Sequence, residues 1–176
     1  MLFRSAAALA VTILTGVAQA GQVHQESVTF EELVREASVI AVVKPARRPR
    51  APQSIDITPP GKPRDPRRYP PFQFVIHQYQ LVKLLKNQGG LVGKTLRVHP
   101  ADFDTALAVH REYHVKGVSK HWISRGYEPR QPPAGTSTEE VVVFLNKNGN
   151  RWHFAAEGAV ESSALAEEIS AALKKE

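Results

Sequence analysis

The sequence predicts a mainly β domain: a small closed or partly closed barrel of five strands, with an amphipathic helix before the first strand and another at the C-terminus. Three observations carry that expectation. Five short β-branched or alternating runs follow one another with turn residues between them. Asn148-Gly149 stands between two of these runs as a hairpin signal, since both residues tolerate positive φ. The chain has no cysteine, so packing alone must hold the fold, and closing five successive strands into a barrel removes exposed edges.

The N-terminal segment comes first. Met1 to Ala20 carries Arg4, an apolar run from Ala6 to Leu14 broken only by Thr12, and the small-x-small pattern Ala18-Gln19-Ala20. This is the pattern of a signal peptide cleaved after Ala20. The apolar run is short of the roughly 20 residues that a bilayer-spanning helix needs, and no later segment reads as a transmembrane span. Residues 21–176 then form a single globular domain, long enough to bury a core, in a periplasmic or secreted protein. The absence of cysteine excludes thiol catalysis and thiolate metal sites.

Thr29 opens the first helix. Glu32 three residues later completes a capping box, and Val28 can staple onto Leu33. Phe30, Leu33, Val34 and Ala37 share one face. Val39-Ile40-Ala41-Val42-Val43 reads as a buried strand.

Residues 45–71 are different in kind. They hold nine of the thirteen prolines and few apolar residues, so the segment reads as an extended, flexible loop. Lys44 to Arg68 holds eight basic residues against Asp56 and Asp65, a net charge equal to the formal +6 of the whole chain. The basic balance therefore belongs to one segment.

Phe72 to Lys86 reads as a long strand or bent strand pair, with a bulge after His77-Gln78 where the alternation loses phase. Asn87-Gln88-Gly89-Gly90 is a turn. Lys94 to His99 alternates, with Leu96 and Val98 inward. Asp102 is a candidate cap for a short helix carrying Phe103, Leu107, His110 and His114 on one side. Val141 to Leu145 is the strongest strand signal, and Arg151 to Ala156 returns as its hairpin partner. Ser163 can cap a final helix with Leu165, Ile169, Ala172 and Leu173 on one face, and Lys174 and Lys175 in its last turn suit the helix dipole.

Three stretches resemble bacterial exported domains related to the netrin-like, metalloproteinase-inhibitor-like barrels of OB type. They are Ala37 to Val43, Val82-Lys83-Leu84-Leu85-Lys86 followed by Gly93 to Val98, and Glu140 to Leu145. The resemblance implies an OB-like barrel. Inhibitors of that family present an N-terminal cysteine to a protease metal, whereas this chain would begin Gly21-Gln22-Val23-His24 after cleavage. The resemblance therefore bears on fold and does not carry inhibition with it.

Two constellations are candidate sites. His110 and His114 stand four apart on the predicted helix, with Gly117 and His121 beyond, which is spacing for a divalent metal site. It resembles the zinc-protease motif H-E-x-x-H-x-x-G-x-x-H, with departures. Arg111 occupies the position of the general-base glutamate, Glu112 falls one residue late, about 100° around the helix, and the third histidine is also one late. The second constellation is Arg47, Arg48, Arg50, Arg64, Arg67 and Arg68, guanidiniums suited to bidentate phosphate contacts with an anionic polymer or lipid headgroups. Tyr69 is the one aromatic of that segment, too little stacking surface for specific nucleic-acid recognition. Trp122, Trp152, Tyr113 and Tyr127 can line a groove or fill a core. There is no G-x-S-x-G and no phosphate-binding loop.

The sequence thus predicts an exported, non-enzymatic binding domain whose partner is a protein or an anionic surface polymer or lipid. The alternative is a metal-binding protein or metal-dependent hydrolase at His110, His114 and His121. No cofactor is expected beyond the divalent ion of that alternative.

Overall fold

The structure is a computed structural model that describes residues 23–46, 51–134 and 139–174. The predicted signal peptide, Arg47, Arg48, Arg50 and Lys175 lie outside the described residues.

Strand β1 (Val23–Ser27) leads into helix α1 (Phe30–Glu36). The capping box forms as the sequence predicts: the Glu32 amide donates to Thr29 Oγ1 at 3.2 Å, and the Thr29 amide donates to the Glu32 carboxylate at 2.9 Å. Phe30, Leu33, Val34 and Ala37 are buried. The far end of α1 has a cap that local pattern does not announce. Lys86 Nζ, buried, donates to the carbonyls of Val34 at 3.1 Å and Arg35 at 2.7 Å, bringing a cation to the negative end of the helix dipole.

Strand β2 (Val39–Pro45) follows, buried from Val39 to Val43. It is central because it pairs on both sides: antiparallel with β5 (His77–Asn87) and antiparallel with β8 (Val141–Asn148). β5 pairs antiparallel with β6 (Thr95–His99), and β8 forms a hairpin with β9 (Arg151–Phe154). A parallel pair between β6 and β9 closes the ring, with Val98 opposite Trp152 and His99 opposite His153. Counting only these five strands, the order is 1-2-3-5-4-1, and the 3–5 pair is the parallel one. That is the connectivity of an OB-like barrel, and closure leaves these strands without a long open edge.

The remaining elements flank the barrel. Strands β3 (Gln53–Ile55) and β4 (Phe72–Phe74) form a small separate hairpin. Helix α2 (Phe103–Lys116) joins the third and fourth barrel strands, as one long helix where a short one is predicted. β7 (Trp122–Gly126) pairs in parallel with β1, and β10 (Val160–Ser162) pairs with β8. Helix α3 (Ala166–Leu173) ends the described chain, with Leu165 and Ile169 buried.

The core gathers the facing side chains of β2, β6, β8 and β9 under α1, with Phe30 edge-on to Phe144 at 6.3 Å. Three local expectations need correction. The break in residues 72–86 falls at Val75-Ile76, and the bulges lie further along β5, where Val82 and Leu85 are the extra residues against β2. Asp102 stands at the N-cap of α2 as expected, but its side chain makes no cap hydrogen bond; its carboxylate accepts from the Ser124 hydroxyl of β7. Ser162, not Ser163, caps the turn that precedes α3.

Candidate functional site

The basic proline-rich segment is not without structure. Its few apolar residues fold it back onto α2. β3 pairs with β4 in the register Gln53↔Phe74 to Ile55↔Phe72. Ile57, Tyr69, Phe72 and Phe103 are buried together in a second, smaller core, with Ile55, Phe74, Ala106 and Leu107 packed around them. Phe72 stands 5.9 Å from Phe103, and Phe74 stands 4.7 Å from Phe103, both edge-on. Within residues 51–71, a short strand and two buried side chains stand where an extended, flexible loop is expected.

Between those anchors the chain turns on its own acids. Asp56 Oδ1 accepts from the Thr58 amide at 2.9 Å, and Asp65 Oδ1 accepts from the Arg67 amide at 3.0 Å. The amides of Arg68 and Tyr69 both donate to the Asp65 carbonyl. This turn presents Arg64, Arg67 and Arg68 on the surface, with Lys62 beside them, all exposed. Arg64 meets Asp56 at 3.0 Å, and the Arg68 guanidinium lies over the Tyr69 ring at 5.4 Å. Tyr69 itself is buried, so it offers no face for a base to stack on.

An open groove of about 510 Å3 runs between this segment and the outer side of α2. Asp56, Ile57, Thr58, Pro59 and Pro60 line it from the segment, and Arg111, Val115 and Lys116 from the helix. Glu112 also lines it, but is committed to Lys116 at 2.7 Å and Lys120 at 3.7 Å. The Lys116 hydrogen bond, then the two lysine charges, hold its carboxyl below the usual carboxylate range.

The histidines of α2 behave differently from the metal expectation. His110 and His114 are neighbours, with ring centroids 4.4 Å apart. Yet His110 Nε2 donates to the Pro70 carbonyl at 2.7 Å, and the ring is buried. That nitrogen ties the proline-rich segment to the helix. Burial, then the nearby His110, pushes the His114 imidazole below its ordinary value. Gly117 ends the helix in the left-handed region, φ 70°, and His121 lies exposed in the run that follows. Among the described residues no three of His, Cys, Asp and Glu gather closely enough to hold a metal ion. His110, His114 and His121 therefore do not form the three-ligand group that their spacing predicts.

A second polar cluster, which the sequence reading missed, sits where β6 and β9 close the barrel. His99 and His153 stack at 5.4 Å. Asp104, in the first turn of α2, accepts from Arg151 Nη1 and Asn148 Nδ2, both at 2.8 Å, so it pins the helix to the β8–β9 hairpin. His153 Nδ1 donates to the Pro100 carbonyl at 3.2 Å, which leaves Nε2 at 3.7 Å from Asp104. Burial, then the neighbouring His153 and Arg151, lowers the His99 imidazole. Residues 99, 104 and 153 share no local pattern; only the barrel closure joins them.

The four aromatics do not gather. Tyr127 is in the main core and donates its hydroxyl to Glu161, Trp152 packs against that core, and Tyr113 is exposed on α2. Among the described residues no aromatic contact joins any two of Tyr113, Trp122, Tyr127 and Trp152.

Compared with protein-family models, curated proteins and solved structures, the chain matches none.

Proposed function

We propose that the chain is an exported, non-enzymatic binding domain whose partner is an anionic component of the cell envelope, held by the basic turn on α2. One observation carries this reading. Lys62, Arg64, Arg67 and Arg68 are exposed on a segment that Ile57, Tyr69 and Phe72 dock onto α2, and among the described residues only Arg64 of the four is paired with a carboxylate. A cation cluster already ordered by its own anchors spends less conformational entropy on binding than one on a free loop. Arginine suits phosphate, sulfate or carboxylate acceptors through its planar fork. Export follows from the leader pattern of Met1 to Ala20. Among the described residues His121 does not join the neighbouring His110 and His114 in a three-ligand group, so the basic turn is favoured over a metal site as the place of function.

The test is retention of the mature chain on immobilised heparin. The wild type should bind at low salt and elute as salt rises, because the attraction is screened. Arg64→Ala/Arg67→Ala/Arg68→Ala should elute at clearly lower salt. Elution of this variant with the wild type would remove the basic turn as the site.

A further inference from the structure

The groove beside the basic turn combines two chemistries that a soluble polyanion does not use together. Part of its lining is apolar, from Ile57, Pro59, Pro60 and Val115, and the rest is polar, from Asp56, Thr58, Arg111, Glu112 and Lys116. Val115 is one-third exposed at 36%, and Val118, just past the helix, is 43% exposed, so both leave apolar surface in water. Around them the charge is one-sided. Residues 56–68 and 111–120 carry seven Lys and Arg against Asp56, Asp65 and Glu112, a formal net charge of +4. The acids are occupied: Asp56 by Arg64, Glu112 by Lys116 and Lys120, and Asp65 by the amide of its own turn. Arg111, which lines the groove, has no carboxylate partner among the described residues. A partly apolar groove lined by an unpaired guanidinium, set in a cationic field, is complementary to a phosphate joined to an apolar body.

From this we infer that the face docks on an anionic phospholipid surface. A lipid phosphate meets Arg111, the glycerol and first acyl carbons lie along Val115, Pro59 and Pro60, and the cations of the turn meet neighbouring headgroups. The inference rests on the anion-binding reading above and names its partner. A lipid surface satisfies both halves of the site, since it offers negative potential and an apolar boundary a few ångströms below it. A soluble polyanion satisfies only the charge and leaves the valines in water.

The experiment is co-sedimentation of the mature chain with vesicles of phosphatidylcholine alone and with about one-third phosphatidylglycerol. Heparin retention is measured in parallel on every variant. The wild type should sediment with the anionic vesicles and not with the neutral ones. Arg111→Gln should weaken vesicle binding about fivefold. Val115→Ser/Val118→Ser should weaken it about tenfold or more while leaving heparin retention unchanged, because it removes apolar contact and no charge. Both changes are on exposed side chains, so the fold should survive them; a circular-dichroism melt checks this. Heparin retention without vesicle binding, or vesicle binding indifferent to the two valines, overturns the lipid inference and leaves the anion-binding reading standing. Wild type that binds neither overturns both.

Discussion

Phe72→Ala tests whether the basic segment is a docked part of the molecule. Phe72 is buried where β4 begins, with its ring 5.9 Å from Phe103, 6.0 Å from Phe74 and 5.4 Å from His110. Removing a buried Phe from a packed cluster costs about 3–5 kcal/mol. The smaller core has only Ile57, Tyr69, Phe72 and Phe103 as its buried members, and the β3–β4 ladder has only three register pairs. The loss therefore falls on the anchorage of one hairpin and not on the barrel, whose core is a separate cluster. Amide hydrogen exchange distinguishes the two. A local loss of about 3 kcal/mol should speed exchange in β3 and β4 by roughly a hundredfold. The amides of Val42 and Val142, deep in the barrel sheet, should keep their wild-type protection. Heparin retention should fall as well, although no charge has changed, because the cations lose their fixed arrangement. Equal loss of protection in β2 and β8, or unchanged exchange in β4, would refute the reasoning.

Two further outcomes follow from one buried and two partly buried polar groups. Glu161 is fully buried and accepts from the Tyr127 hydroxyl and from the amides of Arg130 at 2.7 Å and Gln131 at 2.8 Å. Glu161→Gln puts a donor where one of these donors points, so it should cost about 2–4 kcal/mol in urea unfolding; a loss under about 0.5 kcal/mol contradicts the assignment. Burial, first of all, lowers the His99 and His114 imidazoles from the ordinary value of 6.5. A base lowered in the folded state is protonated more readily in the unfolded one, so its stability contribution is intact above 6.5 and is lost as pH falls through the folded value. Thermal midpoints should therefore decline on acidification below that point, and His99→Phe should flatten the decline; an unchanged slope in that variant argues against His99 as a source.

The parts of the fold that local sequence foretold are those with strong local causes. β2 and β8 are unbroken β-branched runs, α1 has a complete capping box, and the β8–β9 turn has Asn148-Gly149, with Gly149 at φ 57°. The missed elements depend on distant partners. β1 is exposed along its whole length and exists through its parallel pairing with β7, a hundred residues away, which no alternation in Val23 to Ser27 signals. β3 is visible only once Phe72 and Phe74 are placed opposite it. The histidine spacing was half informative. Helical periodicity brings His110 to His114, but Gly117 ends the helix before His121, and the Pro70 carbonyl that claims His110 is forty residues back in the chain. For the basic site the sequence located the charge. It did not reveal the anchors, because Tyr69 is an isolated apolar residue and the alternation Ile55-Asp56-Ile57 is too short, among prolines, to stand as a period.

The most direct measurement is amide chemical-shift mapping of the mature chain titrated with a short heparin oligosaccharide at low salt. Shifts concentrated at residues 62–69 and 111–120, reversed by added salt, are the predicted result. Shifts confined to the barrel face of β5 and β6, or to the Asp104–His153 cluster, would contradict a basic-turn site.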